Sequence, residues 1–356
     1  MTAYRVLTEN NSVLQAAFSA LPRRLYERKK NPQDKKTEQE ILQGKHLLSD
    51  EFQVFPFVVQ KDGKTVSRAL LTVYPADPCG YFGFFESEND EKAVKVLFDA
   101  LEDRARELHL TTLFGPVNAS FWIGYRLKTD HFDQAPYTGE PYNQAYYEAL
   151  LLAQGFQQTD RYTSNLFRPV PPDYVNKKYE KRTAQFLQRG IVLKSLEMKD
   201  YDHTMQEVYG LLTALYADFP GYKPISEEKF LKLFGSYRLI VNPDMVKFAY
   251  DRNRMIGFFI CLPDYKNALY GSLSPRLIHA LLWTKKHAKN YVLLYLGADP
   301  GHLGLGPVLT YDVIRELQRN GASSVGALIH EQKITGYYAK DLLIGENHYA
   351  LYQKKL

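Results

Sequence analysis

Cysteine is almost absent from this chain of 356 residues: Cys79 and Cys261 stand alone, far apart and outside any C-x-x-C or His-partnered spacing. That excludes a disulfide framework and argues against a zinc site, so no metal is expected. No uninterrupted apolar run approaches the ~20 residues that a membrane-spanning helix needs. The opening MTAYRVLTENNSV lacks a basic stretch leading into an apolar one, so no secretory signal is read. The expectation is a soluble, cytoplasmic protein with no membrane partner. A charge excess of one sign is missing too. The 45 Lys and Arg stand against 40 Asp and Glu, for a formal +5. That is too balanced to imply nucleic acid.

Tyrosine is what the chain has in excess: 27 Tyr beside 20 Phe and only 2 Trp. Such a surplus serves half-buried strands as well as binding surfaces, and it makes any one candidate catalytic tyrosine easy to find by chance. At 45% hydrophobic and 24% charged the composition is that of a globular protein. At roughly 150 residues per domain the length suggests about two domains.

Strand-like runs occupy residues 52–60, 65–74, 81–85 and 111–114, rich in Val, Phe, Tyr and Thr. Between the last two, EKAVKVLFDALEDRARELHL places Ala93, Val94, Val96, Leu97, Ala100 and Leu101 on one helical face. NQAYYEALLLAQGF predicts a second helix stopped by Gly155, and residues 161–167 return as a strand. Three prolines and a basic helical stretch follow in RPVPPDYVNKKYEKRTAQFLQRG. The domains are therefore read as 1–168, a linker helix at 169–189, and 190–356. The second half repeats the order of the first. A strand at 191–196 leads to helices near 205–217 and 226–234, then strands at 246–250 and 255–262 joined by the turn DRNR. SPRLIHALLWTKKH reads as an inserted helix. YVLLYLGADP is a strand, GPVLTYDVIRELQRN a helix, SSVGALIH a strand, KITGYYAKDLL a helix and HYALYQKKL the closing strand. Two copies of one α/β unit is the economical reading.

The sharpest chemistry is the loop Pro300-Gly301-His302-Leu303-Gly304-Leu305-Gly306-Pro307, between a predicted strand and a predicted helix. Backbone N–H groups there, with a helix N-terminus behind them, form a cradle for phosphate oxygens. Gly304 and Gly306 let a ligand approach with no Cβ in the way, and Pro307 suits a first helical turn. The nucleotide P-loop is excluded because no Lys-Ser/Thr follows. The dinucleotide fingerprint is excluded because the spacing is G-x-x-G-x-G. A glycine-rich turn that binds nothing stays open.

Strand, glycine loop, helix, strand and then a tyrosine-bearing helix resemble the acetyl-CoA core of the Gcn5-related N-acetyltransferases (GNATs). Their pyrophosphate motif [Q/R]-x-x-G-x-[G/A] is matched by Gly301–Gly306 except at the first position, where Gly301 replaces the Arg or Gln. FGFFE (82–86), GPVN (115–118), YNQAYYE (142–148) with its trailing AQGF, and LPDYKN (262–267) resemble a bacterial tandem-domain family, the YghO-like proteins, over nearly the whole chain. The resemblance implies an α/β fold of two tandem GNAT-like domains, each a mixed, mostly antiparallel sheet flanked by helices. It implies acetyl-CoA or another acyl-CoA as cosubstrate, held by Leu296 and residues Gly301, His302, Leu303, Gly304, Leu305, Gly306 and Pro307. Transfer would be to the amine of a small molecule or peptide. The first half has no glycine cradle. Glu86, Glu88, Asp90 and Glu91 crowd its equivalent junction, a self-capped helix start with Ser87 or Asn89 as the expected N-cap.

In the resembling superfamily a tyrosine on the helix after the fifth strand commonly protonates the leaving thiolate. Glu331-x-x-Ile334-x-x-Tyr337-Tyr338 lines up with that pattern, which gives Tyr338 the donor position and puts Glu331 where Asn is usual. Asp299 and His330, each at a strand end, are the candidate bases. Phe219 and Tyr222 fall where the superfamily shapes acceptor specificity. Two other readings stay open. One is a tandem-fold peptidyltransferase that draws on aminoacyl-tRNA. The other is a non-catalytic pair of such domains that binds a ligand or a protein.

Overall fold

A computed structural model describes residues 3–270 and 274–356. The chain divides into two compact units. One takes the chain up to Arg161 together with Leu269–Gly271 and His348–Leu356; the other takes Tyr162–Ala268 and Ser272–Asn347.

The first unit contains β1 (Tyr4–Leu7), α1 (Ser12–Ala20), α2 (Pro22–Leu25), α3 (Lys35–Leu42), β2 (Gln53–Lys61), β3 (Lys64–Val73) and β4 (Cys79–Ser87). It continues with α4 (Glu91–Glu107), β5 (Thr112–Gly115), β6 (Leu127–Lys128) and α5 (Tyr147–Ala153), and β7 (Gln157–Phe167) leaves it. Its sheet runs β1-β2-β3-β4-β5, with all pairs antiparallel except β4 with β5. The chain's C-terminal residues complete it by pairing with β5, Tyr352 opposite Gly115. α4 lays Val94, Leu97, Phe98 and Leu101 onto Phe57, Leu71 and Phe82 of the sheet, all of them buried.

The second unit starts with the end of β7. It continues through α6 (Lys177–Gln188), β8 (Ile191–Ser195), α7 (Tyr201–Tyr216), α8 (Glu227–Gly235), β9 (Val246–Asp251), β10 (Arg254–Pro263) and α9 (Pro275–His287). Then come β11 (Asn290–Ala298), α10 (Leu305–Asn320), β12 (Ser323–His330) and β13 (Leu343–Lys355). The sheet order is β7-β12-β11-β10-β9-β8, again antiparallel but for one parallel pair, β11 with β12. In α10 the four-residue spacing Leu305, Leu309, Val313, Leu317 builds one fully buried stripe. Gly321, at φ +55°, ends the helix in the left-handed conformation. Both units thus carry the same order of strands, with the parallel pair flanking one long helix, α4 or α10.

The structure corrects several local expectations. KITGYYAKDLL forms no α-helix: two 3-10 turns, Ile334–Tyr337 and Lys340–Leu342, are separated by Ala339 at φ +52°. The segment has no N-cap side chain, and Ile334, Thr335 and Gly336 in its first turn oppose helix propagation. The N-cap of α4 is Asp90, not Ser87 or Asn89. Its carboxylate accepts the Ala93 N–H at 3.1 Å while Lys61 and Tyr4 hold it from the other side. The helix predicted from NQAYYEALLLAQGF is confined to α5. The closing strand starts at Leu343 instead of His348, and α1 to α3 were not foreseen.

Candidate functional site

The two parallel strands of the second unit pair only at their beginnings, from Asn290 opposite Ser323 to Leu293 opposite Gly326. Beyond that, β11 bulges between Leu293 and Tyr295 and stays with β10. β12 stays with β7 through a bulge between Gly326 and Ile329, with Leu328 at φ +56° and its N–H donating to the Ser164 hydroxyl at 3.0 Å. The strands therefore diverge toward the end from which the glycine loop leaves. Leu296, opposite Phe259 on β10 and half-buried, lies on this diverging stretch.

The first unit opens in the same place and fills the opening with its own chain. After Tyr81 pairs with Phe114, the segment GPVN enters. The Val117 N–H donates to the Phe82 carbonyl at 2.7 Å, and the Phe84 N–H donates to the Asn118 side-chain oxygen at 2.7 Å. A Cβ on Gly83 would stand 1.9 Å from the Val117 carbonyl oxygen, so that position accepts nothing larger than glycine.

The loop after β11 is held by its own side chains. Asp299 accepts the Gly301 N–H at 2.8 Å and pairs with Arg254, and His302 donates its backbone N–H to the Asp299 carbonyl at 2.9 Å. The His302 ring turns back toward Asp251, 3.4 Å from Nε2. Leu303 is almost wholly exposed. Leu305 is buried, its side chain 2.8 Å from where a Cβ on Gly257 would stand. Gly304, at φ +92°, occupies the N-cap position of α10, where no side chain caps the helix. The first turn, Leu305-Gly306-Pro307, carries no acidic residue. The positive end of α10 thus has no carboxylate of its own helix beside it, whereas Asp90 and Glu91 satisfy that of α4.

Sequence reasoning missed Arg182. This α6 side chain comes over the cradle, its Nη1 3.1 Å from the position a Cβ on Gly304 would take. Among the described residues no carboxylate pairs with it. The lone signal in the sequence was the basic character of the stretch it belongs to. The Tyr338 hydroxyl lies 2.7 Å from the Cβ position of Gly306, on the first turn of α10. Burial raises the Tyr338 pKa, and Tyr179 adds to the rise while Arg182 opposes it. Tyr179, also on α6, accepts the Ala339 N–H at 3.3 Å through its hydroxyl. Arg182, Gly304, Gly306, Tyr338 and Tyr179 therefore form one cluster.

A second cluster gathers around His330, which is buried at the end of β12. Its Nδ1 accepts the Gln332 N–H at 3.2 Å, and the ring packs edge-on against Tyr162 (5.0 Å) and Phe219 (6.3 Å). Phe219 stacks on Tyr216 at 4.6 Å, and the Lys333 ammonium lies 5.0 Å over its ring. Tyr222 follows, its phenol pKa raised by burial. Glu331 is exposed and joins neither cluster. Among the described residues no group of His, Cys, Asp and Glu is arranged to hold a metal ion, and no helix is long and apolar enough to cross a membrane.

A parallel strand pair flanking one long helix, set in an otherwise antiparallel sheet and present in both units, is decisive for the architecture. The fold is a tandem GNAT fold. A tandem GNAT protein from the clavulanic acid biosynthesis pathway superposes with a TM-score of 0.55 at 11% identity, over 100% of this chain and 98% of its own. A GCN5-related N-acetyltransferase from Sphaerobacter thermophilus gives 0.50 at 10% identity, over 99% and 95%. No family model matches the sequence. In sequence, a bacterial ceramide synthase from Caulobacter vibrioides is 27% identical over 250 residues, which take in 67% of this chain and 64% of that protein. Together these place the protein among acyltransferase-fold proteins.

Proposed function

We propose that the protein is an acyl-CoA-dependent N-acyltransferase whose second unit holds the acyl donor. The observation that carries this reading is the uncapped N-terminus of α10, with Gly304 left-handed beneath the unpaired Arg182 guanidinium, at the end of an open strand gap. The chain's own residues fit a coenzyme A pyrophosphate there. The loop supplies backbone donors and the helix end supplies a positive field. Arg182 and the Tyr338 hydroxyl supply the side-chain donors that Gly301 lacks. Coenzyme A brings the activated thioester. In this assignment Tyr338 serves the phosphates, while Asp299 and His302 shape the loop. Glu331 is given no role.

The reaction joins an amine nitrogen to the thioester carbonyl carbon and breaks the carbon–sulfur bond; the nitrogen gives up a proton and the sulfur receives one. We assign the proton for sulfur to His330. With Nδ1 accepting the Gln332 N–H, its neutral ring carries hydrogen on Nε2. We assign Phe219 and Tyr222 to the acceptor side. The likeness to a protein named bacterial ceramide synthase supports an amphiphilic amine, such as a long-chain amino alcohol, over a small polar one. It also supports comparing acetyl-CoA with longer acyl-CoAs as donors.

The test is an amide-forming assay with acetyl-CoA and palmitoyl-CoA against a panel of amines, read as thiol release. Amine-dependent release from the wild type, lost in Gly306→Asp, is expected. Absence of release with every donor and amine, together with no donor-induced rise in melting temperature, would overturn the reading.

A further inference from the structure

The β10-to-β11 connection of the second unit departs from its counterpart in the first. There, residues 74–78 join β3 to β4; here the chain spends residues 264–289 and builds α9. The helix starts on Ser274, whose hydroxyl accepts the Leu277 N–H at 3.2 Å, with Pro275 in the first turn. Leu281 is its one buried side chain. Ile278, Leu282 and Trp283 face solvent, Trp283 60% exposed. Leu239, likewise exposed, adjoins them through its carbonyl, which accepts the Lys285 ammonium at 3.2 Å.

The charges on this helix are of one sign. Arg276, Lys285 and Lys286 lie on it, no Asp or Glu does, and Arg276 and Lys286 are exposed beside the apolar side chains. Ile278, Leu282 and Lys286 follow one another at four-residue spacing, so two aliphatic side chains and a cation share one row. Trp283 stands on the adjoining row, stacked on His287 at 3.9 Å. Aliphatic side chains, an indole and cations without counter-charges match the layering of a bilayer surface: acyl chains, then the interfacial zone, then phosphates. Nucleic acid would use the cations alone and leave Ile278 and Leu282 in water.

We propose that α9 docks the protein on an anionic lipid bilayer. It would lie flat, with Ile278, Leu282 and Trp283 at the acyl–headgroup boundary and Arg276 and Lys286 among lipid phosphates. It runs against the sequence-based expectation of no membrane partner. It stands on α9 alone and is independent of the acyl-transfer reading.

The experiment is cosedimentation of the full chain with vesicles of phosphatidylcholine alone and of phosphatidylcholine and phosphatidylglycerol in equal parts. It is paired with the emission of Trp283 in a Trp122→Phe background. Binding to the anionic vesicles that weakens with salt is expected, with a blue shift and quenching by brominated acyl chains. Ile278→Ser/Leu282→Ser/Trp283→Ser should lower the partition at least ~tenfold. Arg276→Glu/Lys286→Glu, wholly surface changes, should lower it more than ~tenfold, at roughly fivefold per cation removed and more on reversal. No binding to anionic vesicles, equal binding to neutral ones, or binding undiminished in the charge-reversed protein would each overturn the proposal. Capture of a protein by this face with no vesicle binding would overturn it too.

Discussion

The Arg182 guanidinium lies over Gly304, its Nη1 3.1 Å from where a Cβ would stand, at the positive end of α10. A cation there opposes the helix dipole by about 0.3–1 kcal/mol unless an anion sits with it. Removing it should therefore act in opposite directions on stability and on binding. Arg182→Ala is expected to leave the ligand-free protein as stable or slightly more so, while coenzyme A affinity falls. A lost charge-assisted contact of about 1.5–3 kcal/mol corresponds to roughly ten- to a hundredfold. Calorimetric titration and thermal melts of the same preparation check both signs.

Gly304 and Gly306 are constrained for different reasons, and their variants should separate. Gly304→Ala forces a left-handed alanine, at about 1–2 kcal/mol, before any contact with Arg182 is counted. Gly306→Ala places a methyl 2.7 Å from the Tyr338 hydroxyl. The Gly306→Ala loss should shrink when Tyr338→Phe is added, whereas the Gly304→Ala loss should not. A double-mutant cycle in denaturant unfolding measures the difference.

The first unit offers a pH test. Glu86 is buried and accepts the Tyr26 and Tyr147 hydroxyls, both at 2.7 Å; burial pushes its carboxyl up to about 7 while Arg68 pulls the other way. With its folded pKa above the unfolded value of roughly 4.3, the folded state holds the extra proton between the two. This contribution is present at low pH and is lost as pH rises toward 7 and beyond. Urea unfolding at about pH 5 and about pH 8 should show a loss of stability in the wild type that is smaller in Glu86→Gln.

Also in the first unit, Arg68 and Glu38 form a pair that is almost wholly out of solvent, with hydrogen bonds of 2.5 and 3.1 Å. Glu38→Ala leaves the guanidinium buried without its counter-charge and should cost roughly 3–5 kcal/mol, read as a lowered denaturation midpoint. Arg68→Met/Glu38→Leu, which removes both charges, should lose much less.

Local periodicity made the scaffold legible in the sequence. The helix from GPVLTYDVIRELQRN, the strand after DRNR and the glycine loop are readable because each depends on neighbours along the chain, whereas Leu305, read as part of the cofactor loop, is buried in the core. What stayed hidden depends on contacts between distant segments. Arg182 reaches Gly304 from α6, and nothing in its own surroundings marks it. GPVN is legible only as a motif of resemblance, and nothing in it shows that its Val117 and Asn118 groups close the gap that the second unit leaves open. Residues 333–343, read as a helix from the order of elements, form turns instead, because Gly336 and the lack of a cap oppose a helix.

The central claim is that the α10 cradle of the second unit binds coenzyme A, and calorimetric titration of coenzyme A into the wild type and Gly306→Asp tests it most directly. The account predicts one site per chain in the wild type. Gly306→Asp should show no detectable heat, because its carboxylate fills the cradle with negative charge. No binding to the wild type, or equal affinity in the variant, would contradict it.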